Sequence, residues 1–337
     1  MPTFRTALCE ILKIKIPIVQ APTAAATPAL VAAVSNAGGL GMLGTGTLRD
    51  TKDIRRVIAE ARRLTDRPFG ANLILRGQPE AAERLAACLE AGASVISFFW
   101  DDPSPYIAPV HDAGSLVMYT VASAEAARRA VEAGIDIVVT QGWEAGGHVR
   151  GQVATLPLVP RVVDAVAPIP VVAAGGIADG RGMAAALVLG AAGVWMGTRF
   201  LMSDEAATHP VHRDLIRQAQ ETDTVYASVF DIGWPDAPHR ALRNSTIREW
   251  EAAGRPPSGQ RPGEGEVLGF SPAREPIVRY RSLTPVAETT GNVEAMSLYA
   301  GQSAGMVTHS QPAGDIVRAV AEEAIRVLER CASLVQI

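Results

Sequence analysis

Over the first two hundred positions, short runs of uniformly apolar residues alternate with amphipathic stretches. The apolar runs fall at 18–21, 39–44, 69–75, 95–100, 116–121, 135–141, 171–175 and 194–200. Each is of strand length and none alternates polar with apolar, which predicts strands buried on both faces and hence a parallel sheet. The stretches between them read as helices. Thr27-Pro28 supplies an N-cap followed by proline at the first helical position. The segment 50–64 carries its charges on one face, and 79–91 and 123–133 each run into an Ala-Gly pair that can cap a helix just before the next strand. Eight such units in series predict an α/β fold, a (β/α)8 TIM barrel, with a doubly wound open sheet as the alternative.

After Phe200 the texture changes. Residues 205–285 are richer in charge, proline and glycine, and 254–265 reads as an exposed loop. Helical patterns at 212–221 and 241–252 flank it, so a smaller, mostly helical inserted domain or lid is expected. Apolar patterning resumes at Met296, and 314–334 predicts a long amphipathic helix. The expected division is a barrel from 1–204 and 286–337, with 205–285 as the second domain.

Composition narrows the function classes. With 48% hydrophobic and 20% charged residues in 337, a large core is available. A formal charge of −4 without a Lys/Arg run argues against nucleic acid as partner. The longest apolar run, 183–197, is broken by glycine and too short for a bilayer, so no membrane partner is expected. Cys9, Cys88 and Cys331 are odd in number and far apart, suggesting neither a disulfide frame nor a metal site. Met1–Arg5 has no apolar signal core behind it, and a cytoplasmic protein is the expectation.

Three strings resemble motifs without their context. Gly39-Leu40-Gly41-Met42-Leu43-Gly44 matches a dinucleotide fingerprint but follows a helix and reads as a strand itself. Gly301-Gln302-Ser303-Ala304-Gly305 matches a hydrolase elbow, yet His309 and Asp315 follow in the wrong order. His209 and His212 lack a third metal ligand nearby.

The stronger chemistry lies at the strand ends. Ala174-Gly175-Gly176 closes the seventh apolar run and Gly197-Thr198 lies in the eighth; barrels often place a phosphate site after these two strands. Gln20-Ala21-Pro22-Thr23, Asn72, Thr120 and Gln141-Gly142 put amides and hydroxyls on the same rim, a set suited to a flat polar heterocycle. His148 follows the sixth run between Gly147 and Gly151, where one titratable side chain meets a backbone open to close approach.

Four segments carry a resemblance: 17–22, 36–41, 141–148 and 174–180 look like the nitronate monooxygenase family, as does 299–305. The resemblance implies an FMN-binding barrel. Gly175, Gly176, Gly197 and Thr198 would hold the FMN phosphate. Gln20, Ala21, Pro22, Thr23, Asn72, Thr120, Gln141, Gly142, Gly147, Gly151, Ala174, Gln302 and Ser303 would complete the cofactor site. His148 would be the catalytic residue, with a pKa close to the working pH, able to take the α-proton of a nitroalkane. The implied reaction converts alkyl nitronates and O2 to carbonyl compounds and nitrite; the alternative is an NAD(P)H-dependent FMN reductase of quinones or enoyl thioesters. A non-redox barrel using only the phosphate turns is a third reading. Many members carry methionine where this chain has Thr23. The expected partners are a small-molecule substrate and O2, with a homodimer left open.

Overall fold

The computed structural model describes residues 3–334, so the outermost ends of the expected barrel segments lie outside it. Eight parallel strands form one sheet: β1 (Ile18–Gln20), β2 (Gly41–Gly44), β3 (Phe69–Ile74), β4 (Val95–Phe99), β5 (Leu116–Val121), β6 (Ile137–Gln141), β7 (Val171–Ala174) and β8 (Gly193–Met196). Neighbours in sequence are neighbours in space, and β8 pairs with β1 through Ile18↔Val194. A parallel bridge, Val19↔Leu40, joins β1 to β2 and closes the ring. The predicted TIM barrel is therefore observed.

Side chains on successive strand residues point alternately inward and outward. Val95, Met118, Ile137, Val139 and Val172 fill the barrel with Met42 and Leu40. Ile96, Phe98, Val117, Tyr119 and Val138 pack outward against the helices. Both sets are apolar, which is why the strands read as unbroken apolar runs. The N-terminal helix Ala7–Leu12 adds Leu8, Cys9 and Leu12 to the interior cluster and closes one end. The fingerprint-like glycine string has a packing reason: a Cβ on Gly41 would lie 2.2 Å from the Val31 carbonyl oxygen of the adjoining helix Pro28–Asn36.

The eighth apolar run was expected to be strand through Phe200. The strand stops at Met196, and Thr198–Leu201 is a short helix. Those four residues are all buried, and an apolar run reports burial rather than conformation. Residues 205–285 contain the expected helices, at Pro210–Gln218 and Ser245–Ala252, and also the strands Thr224–Ala227, His239–Leu242, Val267–Phe270 and Pro276–Val278. The insertion is mixed rather than mostly helical. Its strands, three or four residues each, are too short for an alternating pattern to stand out. One of them reaches the barrel: His239 and Arg240 pair antiparallel with His148 and Gly147. The long helix Ala313–Ala332 returns to the barrel, where Gly180 N–H donates to Glu323 at 2.7 Å. Among the described residues, no helix is long and apolar enough to cross a membrane.

Candidate active site

The barrel rim opens onto a cavity of about 710 Å³. Of the residues singled out from sequence, Ala21, Pro22, Thr23, Asn72, Thr120, Gln141, Gly147, His148, Ala174, Gly175, Gly176, Gly197, Thr198 and Ser303 line it. Four others do not. Gln20 is fully buried and holds β1 to β2, its Oε1 accepting from Met42 N–H at 3.1 Å. Gly142 is packed against Thr155, where a Cβ would come within 2.0 Å of Oγ1. Gly151 sits against Ala122 in a neighbouring cleft that also contains Asp101, Asp102 and Arg150. Gln302 is tied by its backbone N–H to the Glu144 carbonyl at 2.9 Å.

The glycines after β7 form a turn no other residue would adopt readily. Gly175 and Gly176 have φ of +108° and +70°, and a Cβ on Gly175 would stand 2.9 Å from both Gly142 O and Thr155 Oγ1. Thr155 braces this turn by donating from Oγ1 to Gly175 O at 3.0 Å. Glu144 fixes Thr155 in turn, its carboxylate accepting from the Thr155 N–H at 2.9 Å. Across from it, Thr198 opens the short helix after β8, and its Oγ1 accepts from Gly301 N–H at 2.9 Å. Exposed backbone at successive left-handed residues beside a helix start is a ready anion cradle.

His148 is held from behind and covered from above. The Gln141 amide donates to the His148 carbonyl at 3.1 Å, and the strand pairing with His239 fixes the chain on the other side. The imidazole stacks on Trp234 at 3.9 Å between centroids and 27° between planes. Tyr299 stands edge-on at 5.3 Å and Trp100 at 6.2 Å. Nε2 of His148 is buried without a hydrogen-bond partner, as is Nε1 of Trp234. Burial, with the His239 ring adding to it, pushes His148 down to about 3. The imidazole is therefore neutral throughout the physiological range. This corrects the expectation of a pKa near the working pH: the aromatic cover, invisible in the local sequence, makes it a far weaker base.

Charge in the cavity is one-sided. Among the described residues, Arg76, in the loop after β3, and Arg281, from the insertion, are the only charged ones lining it, and no carboxylate does. Neither arginine has an ion-pair or hydrogen-bond partner for its guanidinium among the described residues, although the chain as a whole carries −4. The cavity is thus a cationic vestibule leading to an aromatic wall.

Comparison with known proteins bears on what such a cavity serves. The family model for nitronate monooxygenase matches residues 5–87 and 75–323. The chain belongs to the nitronate monooxygenase family. It is 32% identical to a probable nitronate monooxygenase of Staphylococcus saprophyticus, over 96% of this chain and 99% of that one. It is 41% identical to a (3aS,4S,5R,7aS)-5-hydroxy-7a-methyl-1-oxo-octahydro-1H-indene-4-carboxyl-CoA dehydrogenase of Rhodococcus jostii, over 75% of this chain and 70% of that one. Among solved structures it resembles FabK from Thermotoga maritima, with a TM-score of 0.86, 38% identity, and coverage of 99% and 100% of the two chains. As a family member it is an oxidoreductase of the nitronate monooxygenase type.

In this nitronate monooxygenase family member, Trp234, Arg281, Arg76 and Tyr299 also line the cavity, and the strand-end reading did not name them. Trp234 and Arg281 come from the insertion, 86 and 133 positions after His148, and nothing local marks Arg281. One signal was available: Ile232-Gly233-Trp234-Pro235-Asp236 puts a large aromatic into a turn-forming string, where solvent exposure would be the default.

Proposed function

We propose that this chain is an FMN-dependent oxidoreductase that oxidises alkyl nitronates with O2 to carbonyl compounds and nitrite. The observation that carries the reading is the cavity's charge: arginines and no carboxylate, leading to an apolar aromatic wall at a neutral imidazole. That arrangement favours a small anion with an apolar tail.

The residues fit FMN. Gly175 and Gly176, with Gly197 and Thr198 opposite, would hold its phosphate, since a Cβ on Gly175 would collide with Gly142 O. Gln141 Oε1 is a buried acceptor without a donor, and would meet a ring N–H with Asn72 and the 21–23 segment beside it. Bound FMN would supply the electron acceptor. His148 would do the rest of the work as a neutral group: it orients the substrate and excludes water. A nitronate has already lost its α-proton, so no strong base is required. Neutral nitroalkanes would be poor substrates, because an imidazole this depressed accepts a proton reluctantly. Residues 205–285 would act as the lid. The test is direct. Purified protein should be yellow, and nitronate-dependent O2 uptake should release nitrite; a colourless protein that fails to take up FMN overturns the reading.

A second reading has its own support. An NAD(P)H-dependent FMN reductase of quinones or enoyl thioesters fits the relatedness to a coenzyme A thioester dehydrogenase, and Arg76 and Arg281 suit the phosphates of a carrier. Anaerobic mixing with NADPH separates the two: rapid bleaching of the flavin favours the reductase.

A further inference from the structure

Trp234 is brought to His148 from the far side of the chain by a constrained turn. Gly233 has φ +92° and Asp236 +54°, both left-handed, and the two bracket the Trp-Pro pair. The turn is anchored behind by Ile232, which bridges Arg281, and ahead by Ala237, whose carbonyl accepts from the His239 ring at 3.0 Å. The indole then lies flat on His148 and edge-on to Trp100 at 5.5 Å and 69°. Trp100 has φ +66°, a conformation a bulky residue adopts only when its surroundings impose it, and it is buried. An aromatic sandwich has been assembled from three distant segments around one imidazole.

The stack leaves two polar atoms without partners, His148 Nε2 and Trp234 Nε1. Stranding a buried donor is unfavourable, and an indole N–H can only donate. An oxygen acceptor placed where both atoms can reach it would satisfy the indole and any proton on the imidazole together. The nitro group of a nitronate and the carbonyl of a thioester or quinone both offer such an oxygen.

We propose that Trp234 is the specificity-determining residue of this site: it covers His148, and it yields to substrates that present an acceptor oxygen at the reacting end of an apolar chain. The proposal rests on the flavin oxidoreductase reading for its substrates but not for its geometry. Two variants separate the cover from the hydrogen bond. Trp234→Phe keeps a ring over His148 and removes the donor; Trp234→Ala removes both.

The first measurement needs no turnover. Carbethoxylation of His148 by diethyl pyrocarbonate, followed by peptide mass mapping of the full chain as purified, should be slow in the wild type and in Trp234→Phe. It should be at least about tenfold faster in Trp234→Ala. The second measures kcat and KM for a series of nitronates of increasing chain length, and for an enoyl thioester. Trp234→Phe should raise KM about tenfold with a smaller change in kcat, and Trp234→Ala should flatten the dependence on chain length. Circular dichroism and flavin content, unchanged from the wild type, exclude misfolding as the cause. Equal labelling rates in all three proteins would overturn the cover. An unchanged KM in Trp234→Phe would overturn the hydrogen bond. A protein that binds no FMN and turns over neither substrate would overturn the functional reading while leaving the labelling result to decide the cover.

Discussion

His148 and His239 face each other across one strand pairing, with ring centroids 5.6 Å apart, yet they have opposite hydrogen-bond accounts. His239 uses both nitrogens: one contacts the Ala237 carbonyl at 3.0 Å and Nε2 accepts from Phe230 N–H at 3.1 Å. That fixes its tautomer and makes it a structural member of the insertion. Among the described residues, His148 Nε2 has no partner, and an aromatic ring lies on its face. Two imidazoles in adjoining positions, both depressed by burial, differ in what they can offer a ligand. Partner accounting distinguishes them where residue type and the direction of titration do not.

The largest expected effect tests that distinction. His148→Ala should lower turnover about 10²-fold through lost positioning on the proposed reading, while the thermal midpoint stays near the wild type. His239→Ala should do the reverse. It strands the buried Phe230 N–H, a loss of about 1–3 kcal/mol, and lowers the midpoint by several degrees with much of the turnover per folded molecule retained. Full nitronate activity in His148→Ala would remove the functional half of the comparison. The glycine turn gives the next effect. Gly175→Ala forces a side chain into φ +108° and against Gly142 O, and flavin content after purification should fall to a small fraction of the wild type.

How much of this was legible in the sequence follows from what each pattern reports. The barrel was, because eight doubly buried strands leave eight apolar runs, and glycine caps mark the helix ends. The rim was, because barrels place chemistry at strand ends, so Asn72, Thr120, Gln141 and the glycines after β7 could be named from position alone. Gln20 was misplaced by one residue of register: side chains alternate along β1, and at 20 the amide points into the strand interface. The insertion was read poorly because its short strands pair with partners far away in sequence, His239 with His148 above all. Arg281 was out of reach for the same reason, and Trp234 was marked only by its turn-forming string: tertiary contacts place both, and no period or spacing encodes those contacts.

Acid separates the two histidines less well than ligands do, and the sign is fixed. His148, His212 and His239 are all pushed below the usual histidine value by burial, to about 3, 4 and 4. The folded chain therefore binds fewer protons than the unfolded chain between about pH 6.5 and 4. Stability from these groups is complete above that window and is lost as pH falls through it, by about 1.4 kcal/mol per unit for each group. Denaturation midpoints measured at pH 7, 6 and 5 should decline with increasing slope. His212→Leu, which removes a fully buried imidazole that does not line the cavity, should shallow that decline. Midpoints that stay level down to pH 4.5 would contradict the burial assigned to all three.

The smallest effect extends partner accounting from histidine to arginine. Arg261 donates to Asp231 at 2.7 Å and to the Val229 carbonyl at 2.9 Å, and Arg240 donates to the Trp143 carbonyl at 2.9 Å. These are structural, and Arg261→Gln should cost stability because Val229 and Asp231 lose their donor. Arg281 and Arg76 line the cavity without such partners. Arg281 is exposed, so its attraction for an anion is screened, and a single exposed charge is worth only about 0.2–1 kcal/mol. Arg281→Gln and Arg76→Gln should therefore raise KM for an anionic substrate by a few-fold each and leave the denaturation midpoint unchanged. The effect should shrink as salt is raised from 0.01 M toward 1 M, where screening falls from about 30 Å to 3 Å. Uncharged quinones should show no such change in KM. If both variants bind anionic and neutral substrates alike at low salt, the unpartnered arginines are solvated surface groups, and the accounting that separates His148 from His239 does not carry over to charge at the cavity mouth.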